Sequence, residues 1–128
     1  MGEIIHAACS ECGYGKQYKI GGGLMSINPE VVEKQLKGDD LDTWNMLREK
    51  DRIHFFAWKY EMAYCETCQK LQSIFIVDIR TKEGESMCLG SRCDSCRSIL
   101  SKFEKDEEMI CPACGKKTVS RMLTGRWD

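Results

Sequence analysis

The chain has 128 residues and a formal charge of −1, and its hydrophobic share of 42% lies slightly below the usual globular range. This length suits one compact domain or two very small ones, and a core divided in two would be marginal without further stabilisation. The charge excludes the overall positive field that drives sequence-independent nucleic-acid binding, although local basic patches stay open.

The first elements are a pair of short strands around a cysteine turn. Residues 3–20 predict a strand, a turn that carries Cys9 and Cys12, and a second strand. The Gly21–Gly23 run then breaks the pattern, because glycine is unfavourable inside regular elements. This segment therefore predicts a β-hairpin with two thiols at its tip.

A helical segment is predicted over about residues 28–50. Asn28 is a good N-cap and Pro29 suits the first helical position, while Lys37–Gly38 supplies a basic last turn and a glycine cap. Asp40 is predicted to cap a second helix with apolar residues at helical spacing. The two helices are thus an insertion between strands.

The middle of the chain changes to a period of two. Apolar and aromatic residues alternate over Phe56–Tyr64, which predicts a strand with one strongly apolar face. A second cysteine turn, with Cys65 and Cys68, leads to a predicted strand over Leu71–Ile79. These elements complete a predicted N-terminal unit over 1–90.

Residues 91–128 predict one hairpin with a cysteine pair before each strand. The strands are Ser98–Phe103 and Thr118–Leu123, and the acidic segment Glu104–Glu108 lies between them. We expect this hairpin to be a second unit. The fold class predicted is a small metal-bound α+β protein of two β-hairpin units, with a helical insertion in the first.

Eight of the nine cysteines form four Cys-x-x-Cys pairs, at Cys9/Cys12, Cys65/Cys68, Cys93/Cys96 and Cys111/Cys114. The first residues lack the basic and apolar regions of a signal peptide, so we expect a cytoplasmic, reducing location, where such pairs are metal ligands or redox centres. No apolar run is long enough for a membrane span. The pairs predict two structural Zn²⁺ ions, each held by four thiolates.

Pairing in chain order is the simplest assignment of ligands, since only 14 residues separate Cys96 from Cys111. It gives one ion to Cys9, Cys12, Cys65 and Cys68, and the other to Cys93, Cys96, Cys111 and Cys114. A crossed arrangement, such as Cys9/Cys12 with Cys111/Cys114, stays open and requires the two halves to interlock. Cys88, His6 and His54 are not needed as ligands in either case.

The metal sites argue against catalysis. Four thiolates leave Zn²⁺ no open position for water or substrate, and the chain carries no phosphate-binding loop, nucleophile elbow or metalloprotease motif. We therefore expect no enzyme activity and no small-molecule substrate. With both ions bound, the formal charge falls to about −5, because only ionised thiols bind metal.

The cysteine motifs resemble known families. Residues 93–115, with Cys-x-x-Cys and Cys-Pro-x-Cys-Gly, resemble the zinc-ribbon superfamily, and the segments at Cys9 and Cys111 look like rubredoxin knuckles. The whole chain resembles a group of uncharacterised bacterial double zinc-ribbon proteins that ends in Trp-Asp, here Trp127–Asp128. The resemblance implies ligands paired in chain order and implies no activity.

Three functions follow as hypotheses. The first is a protein-interaction or adaptor module, favoured by the negative charge and the apolar alternation in the middle of the chain. The second is nucleic-acid binding through a basic patch with a stacking aromatic. Its predicted contacts are Lys116, Lys117, Arg121, Arg126 and Trp127. The third is an iron-binding electron-transfer or redox protein, since soft thiolates accept iron as well as zinc.

Overall fold

The computed structural model describes residues 2–22 and 27–127, so that Gly23 and Asp128 of the predicted motifs lie outside the described residues. Two antiparallel three-stranded sheets and two helices make an α+β fold, with strand orders β2-β1-β6 and β3-β4-β5. The elements are β1 (Gly2–Cys9), β2 (Gly15–Ile20), α1 (Pro29–Gln35), α2 (Gly38–Glu49), β3 (Ile53–Cys65), β4 (Lys70–Thr81), β5 (Ser86–Gly90) and β6 (Val119–Trp127).

The helical insertion is present, and its first helix begins as predicted. Asn28 Oδ1 accepts a hydrogen bond from the Glu30 amide at 2.9 Å, and Pro29 is the first helical residue. The second helix differs, because it begins at Gly38 and places Asp40 inside its first turn. Asp40 is not the cap, since its buried carboxylate binds Arg92 Nε at 2.6 Å.

The long hairpin of β3 and β4 organises the core. The predicted alternation is confirmed, since the alternate residues Phe56, Trp58 and Tyr60 of β3 pack in one cluster with residues of α2. Further along β3, Met62 enters a second cluster with Ile5 and other residues of β1. One end of the hairpin therefore packs against the helices, and the other end packs against the first sheet.

The predicted C-terminal hairpin is not formed. The segment Ser98–Phe103 makes only isolated bridges, and β6 pairs along its length with β1 from Gly2–Trp127 to Cys9–Val119. The physical reason is that β6 hydrogen-bonds along one edge of β1, so that Ile5 and Val119 join one core cluster; a pairing between strands so far apart in the chain has no local signal. Strands on both sides of the predicted 90/91 boundary thus share a sheet, while the independence of units 1–90 and 91–128 stays a prediction.

Trp127 holds the end of β6 against both sheets. Its indole stacks on Trp58 with ring centroids 6.1 Å apart, and its Nε1 lies 3.1 Å from the carbonyl oxygens of Glu3 and Ile20. A Cβ at Gly2 would overlap the indole. In the described part of the chain, no helix has the length and apolar character that crossing a membrane requires.

Candidate metal centres

The eight paired cysteines meet in two sets of four. In each set all four sulfur atoms lie within 4.8 Å of one another. The outer site consists of Cys9, Cys12, Cys111 and Cys114, and the inner site consists of Cys65, Cys68, Cys93 and Cys96. The chain-order pairing was therefore wrong, and the first pair of the chain combines with the last.

The strand topology explains this combination. Because β1 runs antiparallel to β6, the turn after Cys9 lies beside the residues that lead into β6, and the Ser10 amide donates to the Thr118 carbonyl at 3.2 Å. Cys12 and Cys111 meet across 99 positions, whereas Cys68 and Cys93 meet across 25. The inner site is thus nested, in chain order, within the outer site.

The sulfur spacing fits a tetrahedral ion. With metal–sulfur bonds of about 2.3 Å, the edges of a regular tetrahedron are about 3.8 Å long. Contacts in the outer site measure 3.8 Å (Cys9–Cys114) and 3.5 Å (Cys12–Cys111). The inner site repeats these values, with 3.5 Å (Cys65–Cys96) and 3.8 Å (Cys68–Cys93). Both sets therefore have the dimensions of a four-thiolate metal site.

All four cysteine turns share one local structure. In each, a backbone amide two or three residues on points at the sulfur of the first cysteine, at 3.3 to 3.5 Å. The residue after each second cysteine has a positive φ, and these residues are Gly13, Gln69, Arg97 and Gly115. Such amides stabilise the negative charge of thiolates. The first cysteine of each turn is buried, and the second is more exposed.

In the outer site, Thr118 supports the thiolate of Cys9. Its hydroxyl lies 3.0 Å from Cys9 Sγ. This hydrogen bond is the main reason that the pKa of Cys9 falls to about 6, since burial alone would raise it. The pKa of Cys12 rises to about 12, because its hydrogen bond with Cys111 and its burial outweigh the amide of Tyr14. In the outer site, Cys9 is therefore the thiol that ionises first, and Cys12 is the thiol that keeps its proton longest.

The inner site has the same asymmetry with different partners. At Cys93, burial opposes ionisation, but hydrogen bonds from the Cys96 backbone and from Gln72 Nε2, at 3.4 Å, lower the pKa to about 6. Ser98, whose hydroxyl lies 3.2 Å from Cys96 Sγ, lowers the pKa of that thiol. The pKa of Cys68 rises to about 12, chiefly because of its hydrogen bond with Cys96.

The residues that support the sulfurs were not predicted from the sequence. Ser98 follows Cys96 by two positions, so a hydroxyl just after a cysteine turn was a usable signal. Thr118 and Gln72 contact cysteines of a different turn, 109 and 21 positions away, and no local pattern shows this. An ion pair between Lys70 Nζ and Asp94, at 2.7 Å, also links the two turns of the inner site.

The predicted partner-contact residues are dispersed along β6 and the turn before it. Lys117 pairs with Glu107 at 2.7 Å, and the half-buried Arg121 donates to the Glu104 carbonyl at 3.2 Å. Lys116 and Arg126 are exposed, whereas Trp127 is packed into the core as described above. Cys88, His6 and His54 belong to neither four-cysteine set.

The comparisons with known proteins give no match: no protein-family model, no curated protein and no solved structure is similar to this chain. The resemblance to zinc ribbons therefore rests on the cysteine motifs and on the two four-cysteine clusters.

Proposed function

We propose that the chain is a non-catalytic protein-interaction module whose fold is held by two structural zinc ions. The observation that carries the proposal is the pair of four-cysteine sites, of which the inner site is nested within the outer site in chain order. When bound, each Zn²⁺ supplies a cross-link between distant turns, with no free coordination position for substrate. The outer site would tie β1 to the start of β6, and the inner site would tie the β3–β4 turn to the segment after β5.

Exposed apolar side chains support an interaction role. Phe55 borders a shallow cavity of about 520 Å³ on the face of β3–β5 that the helices leave open, together with Arg80 and Cys88. Ile99 is 71% exposed at the edge of a second depression beside the inner site. Contiguous exposed apolar patches mark surfaces that contact other proteins, and we propose that a protein partner covers Phe55 or Ile99 together with its neighbours.

Nucleic-acid binding is the second candidate, and the exposed Lys116 and Arg126 favour it. Its weakness is the stacking aromatic, because the Trp127 ring already packs against Trp58 and its N–H lies within hydrogen-bonding distance of two backbone carbonyls. A gel-shift experiment at low salt separates the candidates. Retardation of RNA or DNA that weakens steeply as salt rises would favour nucleic acid over a protein partner.

Metal analysis of protein purified from its own host tests the structural proposal. We expect two zinc ions per chain and a colourless protein, and we expect chelation to abolish cooperative unfolding, because folding and metal binding are coupled in such sites. Coloured protein with stoichiometric iron would favour the electron-transfer alternative instead. A metal-free native chain, or a chelated chain with an unchanged thermal transition, would refute the structural role.

A further inference from the structure

The outer edge of β6 has hydrogen-bonding groups without a partner strand. In the sheet of order β2-β1-β6, the strand β2 at the opposite edge meets β3, through a bridge between Gly21 and Tyr60. Within residues 2–22 and 27–127, backbone pairing on the far side of β6 occurs only at Val119, which exchanges two hydrogen bonds with Met109. Alternation along an antiparallel strand then directs the backbone groups of Arg121 and Leu123 to this same outer side. Residues 104–108 lie beside it at Arg121, so the open part of the edge begins near Leu123.

Large apolar side chains lie at this open edge. Met122 is 66% exposed and Leu123 is 50% exposed, although they are neighbours in a regular strand. Proteins usually protect a sheet edge with lysine, proline or a covering segment at such positions. An edge that offers both unpaired backbone groups and apolar side chains is suited to accept another strand.

Opposite charges lie near the two ends of β6. In an antiparallel pair of β6 strands, the start of one strand lies beside the end of the other, so these opposite charges meet. Near its start, Ser120 and Arg121 line a small cavity with the acidic loop, which we define as Glu104–Glu108. That loop has four carboxylates and one lysine, and Lys117 pairs with only one of the carboxylates. Near the end of β6, the exposed Arg126 makes no ion pair with any residue that the structure describes.

We propose that two copies of this chain associate through their β6 edges, in an antiparallel arrangement about a two-fold axis near Leu123. The β2-β1-β6 sheets of the two copies then become one sheet of six strands. The exposed Met122 and Leu123 side chains, which point to opposite faces of the sheet, gain side chains of the partner strand as neighbours. Because the strands run in opposite directions, Arg126 of each copy lies beside the acidic loop of the other. A two-fold contact makes every such pairing twice.

The contact is small, so the association is weak. Thr124 has no paired residue on β1, since Ile4 faces Gly125 and Ile5 faces Leu123, and this bulge limits the regular ladder. So short an edge buries less than the roughly 1,200 Å² of a standard stable interface. Association is therefore expected only at high protein concentration. This inference does not depend on the partner or the metal proposed above.

Sedimentation of the metal-loaded, full chain from low micromolar to millimolar concentration tests the proposal. We expect a reversible monomer–dimer equilibrium, and we expect Met122→Lys with Leu123→Lys to raise the dissociation constant roughly tenfold or more. Ile27→Lys is the matched control, because it makes the same kind of change at a residue 63% exposed elsewhere, and it should leave the equilibrium unchanged. Far- and near-ultraviolet circular dichroism, measured on each variant, shows whether the fold is intact.

Charge exchange gives a second, independent measurement. Arg126→Glu and Asp106→Arg should each weaken the dimer several-fold, and an equimolar mixture of the two variants should recover it, since opposite charges again face each other at both contacts. A wild-type chain that stays monomeric at millimolar concentration would overturn the proposal. The edge would then be available to a strand of another protein. A dimer that the edge variants do not weaken would overturn it as well.

Discussion

Thr118 Oγ1 lies 3.0 Å from Cys9 Sγ, although 109 positions separate the two residues in the chain. This hydroxyl is the largest cause of the low pKa of Cys9. Groups that bind metal ligands from outside commonly set the affinity of the site, because they orient the ligand and stabilise its charged form. The hydroxyl therefore belongs functionally to the outer site.

Replacing Thr118 with Val should weaken zinc binding at the outer site about 10- to 100-fold. The substitution keeps the shape of the side chain and removes the hydrogen bond, so the pKa of Cys9 should rise toward its ordinary value. Competition with a chromophoric chelator measures the affinity. Thr124→Val is the control, since that hydroxyl, in β6, donates to the Ile4 carbonyl of β1. Equal loss in both variants would contradict the assignment.

Zinc binding should release fewer than four protons per ion at neutral pH. In the folded geometry, the pKa of Cys9 and that of Cys93 are both lowered to about 6, so one thiol of each set is ionised before metal arrives wherever the cysteine turns are already folded. To that folded state, the two thiolates contribute stability that is complete above a pH of about 9 and is lost as the pH falls toward 6.

Calorimetry in buffers of different ionisation enthalpy counts these protons. Affinity should fall with decreasing pH, because protons compete with the metal for sulfur. The release of four protons per ion at neutral pH would show that no thiol is ionised in advance.

Removal of one cysteine pair tests the nested arrangement directly. Changing Cys9 and Cys12 to Ser should release one zinc ion and make Cys111 and Cys114 reactive toward alkylating reagents. The inner site should keep its ion. Mass spectrometry of the alkylated peptides identifies the freed thiols. If Cys65 and Cys68 became reactive instead, the chain-order pairing would be restored; Cys88→Ser should change neither metal content nor the other thiols.

Gly13→Ala should destabilise the zinc-loaded protein by about 1–2 kcal/mol, through the backbone alone. Gly13 has φ +78°, and a Cβ there meets no atom within 4 Å, so no steric overlap contributes. Urea unfolding measures the change. Gly125→Ala is the control, because Gly125 lies outside the positive-φ region and its Cβ would make ordinary contacts with Ile4. An equal effect at both positions would contradict this account.

Substitution of Trp127 should lower the free energy of unfolding, because its side chain packs in the core. Trp127→Ala removes ring contacts with Trp58 and Tyr60 and should cost about 3 kcal/mol of unfolding free energy, whereas Trp127→Phe, which loses the N–H, should cost about 1 kcal/mol. Phe55→Ala, at an exposed aromatic, should cost much less. A fully stable Trp127→Ala protein that has lost nucleic-acid binding would instead support a contact role.

Local signals in the sequence predicted the elements better than their assembly. Asn28–Pro29 marks a helix start through hydrogen bonding and backbone geometry that act within a few residues, and the alternation along β3 depends on its own pleat. The failure at Asp40 has a long-range cause, since Arg92, the residue that binds its carboxylate, lies 52 positions away. From the local sequence alone, an Asp that caps a helix cannot be distinguished from an Asp that forms an ion pair with a distant residue.

The same limit explains the error in the metal sites. All four Cys-x-x-Cys turns have equivalent geometry, so nothing local distinguishes their partners. The pairing of β1 with β6 decides which cysteine turns meet. The apolar residues Ile5 and Ala7 of β1 show that one face of this strand is buried, but they do not show which strand pairs with it. A short loop between two cysteine turns lowers the entropic cost of bringing them together, but the strand pairing of a sheet can outweigh this advantage.

The nested arrangement also orders events during synthesis on the ribosome. The inner site is complete in the chain once Cys96 has been added, whereas the outer site must wait for Cys114. Until then, Cys9 and Cys12 remain an unfinished half-site on a nascent chain. We therefore expect a metal ion to bind first at the inner site, in the middle of the chain, and last at the outer site, where its two end segments meet.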